Sequence, residues 1–136
     1  MSPLSGTNRG QRPIVGVLVV DDQPAFRRAA RAVIDATAGF EPLADAASGP
    51  DALRYANELK PDLVLMDVNM PGMDGFETAR RLTTSHPGSV VVLVSLEDLD
   101  KLSEEPTSCG AVAFVRKQDL RPTMLAGLWR DHGRPG

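Results

Sequence analysis

Five polar positions in this 136-residue chain each follow an apolar run. Asp21 and Asp22 close Ile14-Val15-Gly16-Val17-Leu18-Val19-Val20, and Asp67 closes Leu63-Val64-Leu65-Met66. Ser95 closes Val90-Val91-Val92-Leu93-Val94, and Lys117 lies just past Ala111-Val112-Ala113-Phe114-Val115. Taken singly, each has an ordinary reading: a helix cap, a turn residue, a strand end, a solvated ammonium. Apolar runs that form parallel strands bring their carboxyl ends to one edge of the sheet, where residues distant in sequence meet. Three carboxylates gathered there repel one another and call for a counter-ion. Hard oxygen donors suit Mg²⁺, which is commonly held by one or two carboxylates together with a phosphoryl oxygen. With Lys117 adding a further positive charge, the cluster favours a phosphoryl group and points to its transfer onto Asp67, a carboxylate nucleophile that needs no base. Ser95 can donate a hydroxyl hydrogen bond to such a group, and Lys117 can pair with it as a point charge.

The elements that position these groups follow from periodicity. The strands at 14–20, 63–66, 90–94 and 111–115 are apolar without alternation, as expected where both faces are covered. Residues 40–46 form a weaker extended segment. From Pro24, Phe26, Ala29, Ala30, Val33, Ile34 and Ala38 recur at helical spacing until Gly39. Ser48 or Gly49 opens a second helix that ends at Lys60-Pro61, and residues 75–85 form a third, with Asp74 as its cap. Between strands four and five, Pro106 limits the expected helix to a short one near residues 98–104, followed by loop. Asp119 is expected to cap a last helix with Pro122 in its first turn and Leu125, Leu128 and Trp129 on its apolar side. Alternating βα units imply a doubly wound parallel sheet with helices on both faces, an α/β single domain.

Composition narrows the function. The formal charge is -3, with 18 acidic and 15 basic residues, which argues against direct nucleic-acid binding. One cysteine, Cys109, leaves no internal disulfide and no thiol set for zinc; it reads as a small core residue of a protein in a reducing, cytoplasmic setting. No run approaches the ~20 apolar residues of a membrane span. Residues 1–13, rich in Ser, Gly, Pro and Arg, read as a disordered tail, followed by a domain over 14–131 and a C-terminal tail over 132–136. His86 and His132 have no partner at metal-ligand spacing and read as surface residues. Arg27, Arg28, Arg31, Arg80 and Arg81 read as solvated helix faces, and Trp129 as helix-to-sheet packing.

Val19-Val20-Asp21-Asp22-Gln23, the segment from Met66 through Asp67-Val68-Asn69-Met70-Pro71-Gly72-Met73-Asp74 to Gly75, and the stretch from Gly110 to Lys117 resemble the receiver domain of bacterial two-component response regulators. The resemblance spans residues 14–130. It implies a flavodoxin-like (βα)5 fold with sheet order 2-1-3-4-5 and phosphoryl transfer to Asp67 from a sensor histidine kinase or phosphotransfer protein. It also implies Mg²⁺ held by Asp22, Asp67 and the backbone carbonyl of Asn69, with Asp21 acting through water. Ser95 and Phe114 would be the switch pair, remodelling the face made by strand five and its two flanking helices to control an output protein, a fused output domain or a phosphorylation-dependent homodimer. Such a domain is not a turnover enzyme, although it assists its own phosphorylation and dephosphorylation. No output domain is expected within 136 residues, so the chain reads as a stand-alone receiver or as the receiver of a longer regulator.

Several positions depart from the family pattern. Leu96 stands where a small residue is common, which narrows phosphodonor access or marks an atypical receiver that binds partners without phosphorylation. Gln118 replaces a proline, so no cis peptide is expected there. Phe114 lacks the common tyrosine hydroxyl, leaving a packing switch or simply a core aromatic. Asn69 and Glu97 resemble the pair in the chemotaxis regulator that tunes acyl-phosphate hydrolysis, which implies a short-lived phosphorylated state.

Overall fold

A computed structural model describes residues 14–70, 72 and 74–133. Both expected tails therefore lie wholly or largely outside the described residues. Five strands, β1 (Val15–Val20), β2 (Phe40–Ala46), β3 (Leu63–Asp67), β4 (Val90–Ser95) and β5 (Ala113–Arg116), form one parallel sheet in the order β2-β1-β3-β4-β5. The helices are α1 (Pro24–Asp35), α2 (Gly49–Leu59), α3 (Gly75–Ser85) and α4 (Pro122–His132). This is the flavodoxin-like order that the resemblance implied.

The unbroken apolar strands are explained by two cores, one on each face. Leu18, Val20, Val64, Met66, Val91 and Leu93 pack beneath Ala52, Ala56, Phe76, Ala79 and Leu82 of α2 and α3. Their neighbours Val17, Val19, Leu63, Leu65, Val92 and Val94 pack beneath Ala30 and Ile34 of α1 and Leu125 of α4, with Trp129 at the margin. Successive side chains of one strand thus feed opposite layers. Pro42, which has no N–H to give a ladder, sits in the edge strand β2, where the register with β1 slips between Val17 and Leu18.

The helix starts follow local chemistry. Ser48 accepts from Asp51 N at 3.2 Å, and Asp74 Oδ1 accepts from Glu77 N at 2.9 Å. Asp74→Ala is expected to lower stability by about 1 kcal/mol, read as an earlier denaturation midpoint; an unchanged midpoint would show that the cap contributes nothing. Asp119, expected to cap the last helix, does not: α4 is preceded by Arg121, and Asp119 Oδ2 instead accepts from Arg116 Nε at 3.1 Å.

The β4–β5 connection also differs from expectation. In place of a short helix over 98–104 the chain makes a single 3-10 turn, Leu99–Lys101, and then a second, Pro106–Cys109. Residues 97–105 carry five acids against one lysine, and their only apolar members are Leu99 and Leu102. Leu99 is largely exposed, so there is no apolar stripe to hold a helix this short. Arg80 Nη1 pairs with Glu104 Oε1 at 2.7 Å, and Thr83 Oγ1 donates to the Cys109 carbonyl at 3.2 Å, tying the connection to α3. Cys109 is buried, as its core reading required.

Candidate functional site

The ends of β1, β3, β4 and β5 place Asp21, Asp22, Asp67, Ser95 and Lys117 at one edge of the sheet. Asp21 is fully buried and Asp67 is 3% exposed. With half-buried Asp22 they offer carboxylate oxygens that all lie within 4.8 Å of one another. Asp21 N donates to the Ala46 carbonyl at 2.9 Å, and Asp21 Oδ1 accepts from Gln23 N at 2.8 Å. Lys117 Nζ lies 2.6 Å from Asp21 Oδ2 and 3.5 Å from Asp67 Oδ1. It also sits 4.8 Å from the centre of the Phe26 ring, a cation–π contact from the first turn of α1.

Burial pushes the Asp67 carboxyl up to about 6; the Asp21 charge adds to the rise, Lys117 and the Asn69 N–H oppose it, and Asp22 adds a little more. That N–H reaches Asp67 Oδ1 at 3.3 Å. Asp21 Oδ2 is buried and, among the described residues, has no aligned hydrogen-bond donor; it faces the Lys117 ammonium at 2.6 Å. An all-oxygen donor set, crowded negative charge and an under-satisfied buried carboxylate oxygen together fit a small hard cation such as Mg²⁺.

Ser95 is 1% exposed, one residue past the Asp67–Val94 rung, and its Oγ accepts from Glu97 N at 3.0 Å. Phe114 is half-buried on β5 opposite Leu93 and packs against the core beneath α2 and α3. Leu96 is 70% exposed. A cleft of about 490 Å³ opens beside the acids, lined among others by Asp22, Asn69, Asp74, Glu97, Lys101 and Leu102. The described residues contain no cis peptide, and Lys117 leads directly into a 3-10 turn, Lys117–Asp119.

Arg27 is not the solvated residue that helical periodicity suggested. Its side chain is 19% exposed; Nη1 donates to the Asp21 carbonyl at 2.8 Å and Nε to Asp45 Oδ2 at 3.2 Å. Phe26 and Arg27 are the site neighbours that sequence reasoning missed. The available signal was their place in the first turn after the acidic pair. Arg31, by contrast, is half-exposed, and Arg81 pairs with Glu77 on the surface.

Comparison with known proteins bears on the family and the fold. Residues 17–126 match the family described as response regulator receiver domain. Response regulator GacA of Pseudomonas viridiflava is 38% identical over 104 residues, which are 76% of this chain and 49% of that protein. Protein-glutamate methylesterase/protein-glutamine glutaminase 1 of Vibrio vulnificus is 36% identical over 105 residues, 76% of this chain and 28% of that one. The chain therefore spans about half the length of the first relative and under a third of the second. Among solved structures, the signal receiver domain of the response regulator NarL from Mycobacterium tuberculosis superposes with a TM-score of 0.78 at 28% identity, covering 88% of this chain and 96% of that one. Chemotaxis protein CheY4 of Vibrio cholerae gives 0.74 at 28% identity, covering 86% and 98%. Two-component receiver domains are signalling domains that generally bind Mg²⁺ at acidic residues, and with a match running from β1 into α4 this chain belongs to the response regulator receiver domain family.

Proposed function

We propose that this domain is a phosphorylation-controlled switch in which Asp67 accepts a phosphoryl group from the phosphohistidine of a histidine kinase or phosphotransfer protein. The observation that carries the reading is the Lys117 ammonium set between Asp21 and Asp67, inside a cluster of three carboxylates. An Asp67 carboxylate oxygen attacks phosphorus, the new O–P bond forms as the P–N bond breaks, and the electron pair leaves with the imidazole nitrogen. Asp22, Asp67 and the Asn69 carbonyl would hold Mg²⁺ directly, with Asp21 through water; when bound, the ion offsets charge on the phosphoryl oxygens.

Lys117 neutralises one phosphoryl oxygen and is held against the site by Asp21 and the Phe26 ring. The Ser95 oxygen, already accepting from Glu97 N, keeps its own hydrogen to donate to a second phosphoryl oxygen. Movement of Ser95 toward the group makes room for Phe114 to turn further inward, altering the face formed by β5, the turns before it and α4. That face would then engage an output protein, a fused output domain or a second copy of the chain. Asn69 and Glu97, which line the cleft, would set how soon water removes the phosphoryl group, with exposed Leu96 beside Glu97 in the chain modulating donor access.

Acetyl phosphate with Mg²⁺ should add one phosphoryl group to the wild-type mass and none to Asp67→Ala. The adduct should then decay soon after the donor is removed. Failure of both acetyl phosphate and a cognate kinase to label the wild type would leave the chain as a phosphorylation-independent binding module. An adduct persisting for many hours would sink the short-lifetime reading.

A further inference from the structure

Every polar atom of the Asp21 backbone is engaged. Its N–H meets the Ala46 carbonyl at 2.9 Å, and its carbonyl accepts from Arg27 Nη1 at 2.8 Å. Its side chain is likewise spanned: Oδ1 takes the Gln23 N–H, and Oδ2 faces Lys117. The Arg27 contact differs from the others because the same side chain also holds a second acid. The same guanidinium uses Nε on Asp45 Oδ2 at 3.2 Å, and Asp45 lies on β2 opposite Val19, two residues before Asp21. Arg31 Nη1, one turn further along α1, holds the other Asp45 oxygen at 3.1 Å. Asp45 is thus fixed by two guanidinium groups, and Arg27 carries that anchorage onto the loop that presents Asp21 and Asp22.

We propose that Arg27 is a positioning residue for the acidic loop: by holding the Asp21 carbonyl and the Asp45 carboxylate at once, it sets the affinity of the Asp21, Asp22 and Asp67 cluster for Mg²⁺. This rests on the reading of that cluster as the Mg²⁺ site. The planar guanidinium fork matters because two acceptors, one on β2 and one on the loop after β1, must be met from fixed directions. An ammonium at this position carries the same charge and only point-like geometry. Without the fork the Asp21 carbonyl loses its partner, and the loop is free to let the two carboxylates drift from their common focus. Partners that orient metal ligands in this way typically govern metal affinity by ~10–100-fold.

The test is calorimetric titration of Mg²⁺ into the whole chain, with melting in EDTA as a parallel readout. Arg27→Ala should weaken the Mg²⁺ Kd by about tenfold, with most of that loss persisting in Arg27→Lys. Arg28→Ala, which removes the same charge from the exposed side of the same turn, should leave the Kd unchanged. Labelling by acetyl phosphate should be slow in Arg27→Ala at low Mg²⁺ and recover at saturating Mg²⁺, since the chemistry of Asp67 is untouched. A Kd within about twofold of wild type, even with a lower melting temperature, would overturn the proposal and make Arg27 a scaffold residue only. If Arg27→Ala fails to fold, Arg27→Lys and Asp45→Asn are judged by the same criterion. A wild-type chain that shows no saturable Mg²⁺ binding would instead defeat the underlying reading of the cluster.

Discussion

In EDTA at neutral pH, Asp67→Asn should be more stable than the wild-type domain by about 3 kcal/mol, melting roughly 10 °C higher. The cause is the carboxyl raised from 3.8 to about 6 by burial and by the Asp21 charge. A carboxyl whose pKa is higher folded than unfolded favours the fold when protonated. That contribution is fully present below about pH 3.8, fades as pH rises through about 6, and is gone at neutrality, where the native state must hold an ionised Asp67. Asparagine removes the charge and keeps an oxygen for the Asn69 N–H. Lys117 is not stranded by the change, because Asp21 Oδ2 remains at 2.6 Å. The difference between variant and wild type should therefore shrink toward zero near pH 4. Mg²⁺ should close the gap at neutral pH by stabilising only the wild type, since a ligand that binds the native state alone adds stability by mass action. A variant no more stable than wild type at pH 7 in EDTA would mean that Asp67 is not electrostatically strained.

That strain is the physical form of what the sequence reading inferred from type and position alone. Three acids closing two apolar runs could be placed at one edge because parallel strands share their carboxyl ends, and strands buried on both faces carry no alternation to confuse their direction. The caps at Ser48 and Asp74 were legible for a different reason: each acts within three residues of itself. Contacts across layers were not. Helical spacing assigns Arg27 to a face of α1, yet its guanidinium reaches Asp45, 18 residues away. Phe26 lies beneath Lys117, at the far end of the chain, and no local rule joins them. Asp119 illustrates competition: its sequence position suits a cap, but Arg116 three residues earlier takes its carboxylate. The β4–β5 connection failed as a helix because Pro106 marks only where a helix must stop, whereas a helix also needs an apolar face to bury.

Gly75→Ala should lower stability by about 3 kcal/mol and also weaken Mg²⁺ binding and phosphoryl labelling at Asp67. Gly75 is the first residue of α3, and its N–H donates to the Val68 carbonyl at 3.2 Å. A Cβ there would fall 2.0 Å from the Asp67 carbonyl oxygen, 2.7 Å from Val68 Cα and 2.8 Å from the Asp67 carbonyl carbon. All three are backbone atoms, so no side chain can swing aside to make room, and either α3 or the end of β3 must move. Moving β3 shifts the Asp67 carboxylate away from Asp21, Asp22 and Lys117. Moving α3 disturbs Phe76 and Ala79, which pack on Val64 and Met66. Glycine is needed here for close approach of the helix to the strand end, a requirement of space and not of unusual φ. Gly88→Ala is the matched control, because a Cβ at Gly88 meets nothing within 4 Å. Urea denaturation gives the stability change, and intact-mass labelling with acetyl phosphate gives the functional one. Wild-type behaviour of Gly75→Ala in both would show that the contact between α3 and Asp67 relaxes without cost, and that the helix does not hold the carboxylate in place.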